Sequence, residues 1–341
     1  RLKNNLPPAP VYWISLQKRF DDMVVGTYGR GIYIMDDISP IRELAKKDLL
    51  MDQLLPTQSA YRFQMLQAMK SDGSSLINGR NPSYGANIDF YLSDENKKSI
   101  FIEIKNKDLE VVRKLDVKKF TKGVNRIMWD LRYEPTTVPK LRVDPDGVDW
   151  VKYNSDGWRP LRTWDLDVNA GKLGPLAVPG QYSVTLKIDG KEYSNKFEVL
   201  KDPNTIGTLT DINDQFQFLF TLRNTINETV DLINKIENIR FDLQNNERSS
   251  RSKKLERELY RIESNLFDTK LTGAREDAFR NPNKIYGRLA ALGSDLTRFG
   301  SDFKPTDQQV EVYNVLSNRL IEQKKNFDKV MKNEFWYSEK K

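Results

Sequence analysis

The side chains best suited to recognising a ligand are concentrated between residues 134 and 178. Aromatic rings and carboxylates are interspersed there without a clear hydrophobic period. Rings can stack on sugar faces, and a loop of about 45 residues is often functional, so the stretch predicts a carbohydrate-binding platform. The alternative is that the rings form the loop's own small core, packed on a sandwich domain. The residues are Trp150, Tyr153, Trp158 and Trp164, with Asp144, Asp146, Asp149, Asp156, Asp165 and Asp167.

A second aromatic group stands near the end of the chain. Phe335, Trp336 and Tyr337 follow the last position of a helical hydrophobic pattern. They either dock back on the protein or hold a partner, and we include them in the candidate ligand or partner surface.

Calcium is the one cofactor that the sequence suggests, and we otherwise expect none. The run from Asp144 to Asp149 contains the residue types of a calcium loop. However, Gly147 falls two positions early for an EF-hand, and no glutamate closes the loop.

Catalysis within this chain would have to use Asp, Glu, Lys, Tyr or Ser, because there are no histidines and no cysteines. Disulfides and thiolate or imidazole metal sites are excluded for the same reason. Asp130 and Glu134 form a carboxylate pair in sequence, but a glycosidase needs two carboxyls roughly 5–10 Å apart across a sugar cleft, and nothing in the sequence implies one. We expect Asp130 to bond backbone amides, and Arg126 and Arg132 to pair locally. We therefore predict no catalytic residue.

The composition indicates a globular chain with no membrane span. It is 38% hydrophobic and 30% charged, and no apolar run approaches the roughly 20 residues of a transmembrane helix. The net charge is +7, and the basic residues are distributed along the chain and mixed with 48 acidic residues. Only 248–254 is densely basic. We therefore expect no nucleic-acid binding.

Alternating hydrophobicity predicts a β-sandwich at the centre of the chain. Apolar residues occupy every second position in 123–132 and in 180–188, which is the period of half-buried strands. Asp189-Gly190 fits a two-residue hairpin turn. Earlier runs beginning at Ile88, Ile100 and Val111 fit further strands, and short strands at this spacing are typical of an immunoglobulin-like fold.

Four helices are predicted after residue 204, because apolar residues recur there at intervals of three and four. The first covers roughly 210–245, and the fourth begins with a capping box at Thr306 to Gln309. Single apolar stripes predict an antiparallel bundle. The stripe positions are Phe216, Leu219, Ile226, Val230 and Ile233; Leu255, Leu259, Ile262 and Leu266; Ile285, Leu289, Leu292, Leu296 and Phe299; and Val312, Leu316, Leu320, Phe327 and Met331.

Two parts of the chain resemble known families. The order Gly-x-Asn-Arg-x-x-Trp-Asp, insert, Pro-Gly-x-Tyr-x-Val-x-Leu, Asp-Gly in 123–190 is similar to the immunoglobulin-like domain of the flagellar hook-capping protein. Val-Val-Gly-Thr-x-Gly-Arg-Gly-Ile-x-x-x-Asp-Asp in 24–37 resembles the last blade of sortilin-type, bacterial-neuraminidase-repeat β-propellers, which carry a glycosyl-hydrolase-like description.

This resemblance implies four parts. They are the last blade edge of an incomplete propeller at 1–38, a connector at 39–60, an immunoglobulin-like sandwich at 61–200 with an insert at 134–178, and a helical bundle at 201–341. One blade edge cannot fold as a propeller, so we expect the remaining blades upstream or in another chain.

The resemblance also implies a bacterial, extracytoplasmic protein, whether periplasmic, surface-bound or secreted. We expect a non-catalytic accessory or interaction region, with envelope proteins or glycan as further partners. One alternative is the C-terminal part of a glycoside hydrolase-like enzyme whose active site lies in the missing propeller. Another is a structural subunit of an envelope assembly.

Overall fold

A computed structural model describes residues 6–46, 51–63, 82–161, 172–246, 249–272, 282–298 and 302–338. The chain is mixed β and α, as predicted, and divides into two compact units. The first contains residues 1–131 and 179–202, and the second contains residues 132–178 and 203–341.

The first unit contains a three-stranded antiparallel sheet near its N-terminus, which we call the N-terminal sheet. Its strands are β1 (Val11–Gln17), β2 (Asp22–Thr27) and β3 (Ile32–Met35), in that order across the sheet. Between β2 and β3 the chain turns through Gly29 and Gly31, both at positive φ, where glycine is favoured.

Two further sheets pack against each other in the first unit. The smaller sheet has the order β4-β6-β9, and the larger has the order β5-β13-β12-β7-β8. Their strands are β4 (Gln53–Leu54), β5 (Ala60–Arg62), β6 (Ala86–Leu92), β7 (Ile100–Lys105), β8 (Val111–Asp116), β9 (Gly123–Trp129), β12 (Gly180–Ile188) and β13 (Lys191–Lys201).

Trp129 lies at the centre of the core between these two sheets. Its side chain is fully buried. The centroid of its ring lies 5.4 Å from the ring centroid of Tyr182 and 6.0 Å from that of Phe197, both on the opposite sheet. The predicted facing arrangement of the 123–132 and 180–188 strands is therefore confirmed.

The predicted hairpin is confirmed, whereas the predicted connector 39–60 does more than connect. Ile188 pairs with Lys191, and both turn residues between them have positive φ. In 39–60, a short helix, α1 (Ser39–Leu44), is followed by β4, which pairs with β6. Ser39 is the first residue of this helix, and Ile38 at the N-cap position makes no side-chain cap bond.

The second unit is built on four long helices whose apolar faces share one core. They are α2 (Leu209–Asn245), α3 (Ser250–Leu266), α4 (Ile285–Arg298) and α5 (Asp307–Ser338). The capping box of α5 is confirmed. The backbone N–H of Gln309 donates to Thr306 Oγ1, and the backbone N–H of Thr306 donates to the side-chain oxygen Oε1 of Gln309. Val312 was predicted to be core, but it is 48% exposed. Phe299 lies outside the described residues.

The insert, residues 134–178, belongs to this helical unit rather than to the sandwich domain in which it was predicted. Its strands β10 (Lys140–Leu141) and β11 (Arg159–Pro160) pair with each other. Leu141 and Leu161 join the core of the helices. The sequence interpretation had this loop packing on the sandwich and did not predict its contribution to the core of the helices.

Side chains along one face of α2 hold the backbone of the insert. Asn227 Oδ1 accepts from Thr137 N, and Asn234 Oδ1 accepts from Lys140 N, each at 2.8 Å. Glu237 Oε2 accepts from two consecutive amides, Arg142 N and Val143 N. Asn227, Asn234 and Glu237 are separated by seven and three residues, about two turns and one turn, so these acceptors lie on one face of α2.

No helix within the described ranges is both long enough and apolar enough to cross a bilayer.

Candidate functional site

The N-terminal sheet exposes apolar side chains to an unusual degree. Every residue of β1 is exposed, and Trp13 retains 74% of its accessible surface. Soluble domains normally bury at least one face of a sheet, because that burial supplies most of the driving force for folding.

The register shows that one face of this sheet is almost entirely apolar and open. Trp13 pairs with Gly26, which pairs with Ile32, and Val24 pairs with Ile34. Because paired residues share a face, Trp13, Val24, Ile32 and Ile34 lie on the same side. Ile32 and Ile34 are 74% and 63% exposed.

The opposite face is only partly covered. Val25 is buried there, but its cross-strand neighbour Ile14 is 57% exposed. Leu16, on the same face as Ile14, is 47% exposed. The sheet is therefore apolar on both faces, and both are open at the β1 side.

The edges of the N-terminal sheet are open as well. Among the described residues, β1 and β3 each pair only with β2. The segment Val11–Leu16 has no charged residue and no proline, so it lacks the features that usually prevent an edge strand from pairing. A signal for this surface was present in the sequence as the uncharged run in β1.

A cleft of about 710 Å³ in the first unit reaches the start of β2 at Asp22. Aromatic residues including Tyr61 and Phe63, whose rings stack at 5.3 Å, line one part of it. Asp22, Asp36 and Asp37 line another part. The volume falls in the usual range for small-molecule sites.

The carboxylates of this cleft differ in how they are held. Asp37 is buried and accepts hydrogen bonds from Ser39, Asn87 and Arg126. Asp36 is exposed in the fold, and partial desolvation raises the pKa of its carboxyl, with a further upward contribution from Asp22 and a downward one from Arg126.

Arg126 is fixed by long-range pairing and not by the local pairing that the sequence predicted. Its Nε donates to Asp89 Oδ1 at 2.7 Å, and its Nη2 reaches Asp89 Oδ2 and Asp37 Oδ2. Burial raises the pKa of the Asp89 carboxyl, and Arg126 opposes that rise. Arg132 Nη1 donates to the carbonyl of Gly174 at 3.0 Å, and its predicted local pairing stays a prediction.

The predicted aromatic platform is not assembled as one surface by the described residues. Trp150 is 67% exposed, Tyr153 is half-buried with its hydroxyl donating to Asp144 at 2.7 Å, and Trp158 lies under the Lys140 ammonium. These three rings make no ring contact with one another within the described part of the chain. Trp164, with Asp165 and Asp167, lies outside the described residues.

The C-terminal aromatic group lies within α5. Phe335, Trp336 and Tyr337 are in its last turns, and their side chains are outside the described residues. Their role as a partner surface stays a prediction.

Asp146 of the predicted calcium loop connects the insert to α3 and to the residues that follow it. Asp146 accepts hydrogen bonds from the hydroxyls of Tyr260, at 2.6 Å, and Thr269, at 2.8 Å. Within the described ranges, no group of three or more carboxylates has the geometry to hold a metal ion.

The predicted carboxylate pair is divided between the two units. Asp130 belongs to the first and Glu134 to the second.

Comparisons with protein-family models, with curated proteins and with solved structures find no match to this chain. Function must therefore be argued from the surfaces described above.

Proposed function

We propose that this chain is a non-catalytic interaction region of a secreted or envelope protein. In this proposal the N-terminal sheet is the last blade of a β-propeller, and the other blades are supplied upstream or by another chain. The two-sheet domain would be an immunoglobulin-like sandwich, and the helices would form a C-terminal bundle. Both resemblances described above favour this assignment.

The observation that carries the proposal is apolar exposure on both faces of one small sheet. A propeller blade lies between two neighbouring blades, so both of its faces must be apolar. Blades typically have four strands, and this sheet has three among the described residues, with β1 at one edge. One missing strand and two missing neighbours would account for every exposed surface of the sheet.

The exposed area supports a real interface. A large aromatic side chain buries about 150–250 Å² when it is covered. Tyr12, Trp13 and Tyr28 are 74%, 74% and 68% exposed, so these three rings offer roughly 400 Å². The largest apolar patch on a whole monomer is usually about 300–600 Å², and the exposed isoleucines add apolar area on both faces of the sheet.

Oxidative footprinting of the tryptophans tests the proposal. The chain by itself and the native protein purified from its source are labelled side by side, and the modification rate of each tryptophan is measured by mass spectrometry. Trp13 should be modified readily in the isolated chain and strongly protected in the native protein.

Two tryptophans of the same chain serve as controls. Trp150, which is 67% exposed, should react in both samples, and Trp129, which is fully buried, should react in neither. Equal reactivity of Trp13 and Trp150 in the native protein would show that nothing covers the sheet, and the proposal would then be wrong. The intact mass of the native polypeptide distinguishes blades in the same chain from blades in another.

A further inference from the structure

The second unit contains a polar groove between α3, α5 and the start of α4. Two adjoining cavities of about 340 and 420 Å³ form it, and both are lined by Asn265 and Gln323. The lining residues on α5 extend from Arg319 to Asn333, which is about 21 Å along the helix. The groove is therefore long enough for several units of an extended oligomer.

Five cationic side chains line this groove without a counter-ion. None of them forms an ion pair with any carboxylate in the described ranges. Lys324, also on α5 but outside the groove lining, does pair, with Glu228 at 2.9 Å. The groove residues with positive charge are Arg261, Lys284, Arg288, Arg319 and Lys329.

The described lining of the groove has a net positive charge, because two carboxylates, Glu258 and Glu322, face the five cations there. The first turn of α4 also lines it, from Ile285 to Arg288, and the N-terminal end of a helix carries a partial positive charge. Both features favour an anionic ligand.

A largely buried amide lies in the same lining. Gln323 is only 7% exposed, and its Oε1 accepts a hydrogen bond from Asn265 at 3.2 Å. Its Nε2 donates to no described residue and is not among the fully enclosed atoms that lack a partner, so this donor is open to the groove. A ligand acceptor would replace solvent at this donor.

We propose that this groove binds an acidic oligosaccharide. Its carboxylate or sulfate groups would pair with the arginines and lysines. Its hydroxyls would exchange hydrogen bonds with the amides of Asn265, Asn326 and Gln323, which both donate and accept. The described lining contains no aromatic ring on which nucleic-acid bases could stack. This site is separate from the N-terminal sheet, so its test does not depend on the function proposed above.

Calorimetric titration of the full chain tests the proposal with four probes. These are a galacturonate hexasaccharide, a heparin-derived hexasaccharide, neutral maltohexaose and a hexaglutamate peptide. At least one acidic sugar should bind, more tightly at low ionic strength, and maltohexaose should not. Preference between the first two probes distinguishes carboxylate from sulfate recognition.

Variants locate the binding. Replacing Arg288 and Arg319 together with glutamine should weaken binding of the acidic sugar about tenfold, since each exposed cation contributes modestly. Gln323→Glu, nearly isosteric, should also weaken it, because a negatively charged carboxylate replaces the amide donor in the groove. Lys324→Gln is the matched control and should leave affinity within about twofold. Binding of neither acidic sugar, tighter binding of hexaglutamate, or an unchanged affinity in the double variant would overturn the proposal.

Discussion

Replacing Arg240 with methionine tests how much the buried charge cluster contributes to the stability of the helical unit. The Arg240 side chain is 6% exposed, contacts Glu263 through Nη1, and contacts Glu256 through Nη2 at 2.9 Å. Glu263 is fully buried, and Glu237 lies beside it. Methionine keeps most of the apolar volume of arginine but leaves the Glu263 carboxyl without its cation.

The expected cost follows from that loss. Removing one partner of a buried ion pair typically costs about 3–5 kcal/mol, because the other charge is left uncompensated. Burial raises the pKa of Glu263 well above its ordinary value, Glu237 raises it further, and Arg240 opposes both effects. Without Arg240 the pKa of this carboxyl in the folded state should rise again.

The sign of the pH dependence is therefore fixed. A carboxyl whose pKa is raised by folding stabilises the protein below its unfolded-state pKa, and this contribution is lost as the pH rises through the folded-state pKa. The variant should consequently lose more stability at pH 8 than at pH 5. Each additional unit of pKa rise adds about 1.4 kcal/mol to the difference.

Urea unfolding followed by the helical circular dichroism signal measures the effect at both pH values. Arg257→Met on α3 is the control, because Arg257 is exposed and forms no ion pair with a described residue. It should change stability by less than about 0.5 kcal/mol at either pH. An Arg240→Met loss below about 1 kcal/mol, or an equal loss at both pH values, would refute the reasoning.

Three further predictions concern single side chains. Trp129→Ala should destabilise the first unit by about 3–5 kcal/mol in urea unfolding, since the ring is fully buried between two sheets; a loss below about 1 kcal/mol would contradict this packing. Gly85→Ala should cost more than about 2 kcal/mol, because φ is +134° and the new Cβ would lie 2.0 Å from the Trp129 carbonyl oxygen. Gly157→Ala, with positive φ but open space, is its control and should cost about 1 kcal/mol. Trp150→Ala and Trp158→Ala should leave glycan binding unchanged, because the described rings of the insert do not form one surface; a loss of binding in glycan titrations would support the predicted platform instead.

Periodicity in the sequence located most of the regular structure. The strands at 123–129 and 180–188 and the helix at 209–245 match the predictions closely, because each buries one face and its apolar spacing records that burial. Val312 marks a limit of the method, since an apolar residue at the right spacing can still face solvent.

The position of the insert could not be predicted in this way. Its attachment depends on hydrogen bonds from Asn227, Asn234 and Glu237 to backbone amides about 90 residues earlier. Polar acceptors on a helix have no sequence pattern that identifies such a distant partner. The sequence analysis also missed the cluster of Asp37, Asp89 and Arg126, because its polar contacts likewise join residues that are far apart in the sequence.

The division of the chain between its two units affects the order in which they can be completed during synthesis. The strands of the first unit end at Asp202, after the insert, whereas the insert joins helices that begin at Leu209. As the polypeptide leaves the ribosome, β9 appears before its sandwich partner β12, and residues 132–178 appear before α2. The backbone amides of the insert therefore remain in water until the translation of α2 provides their acceptors.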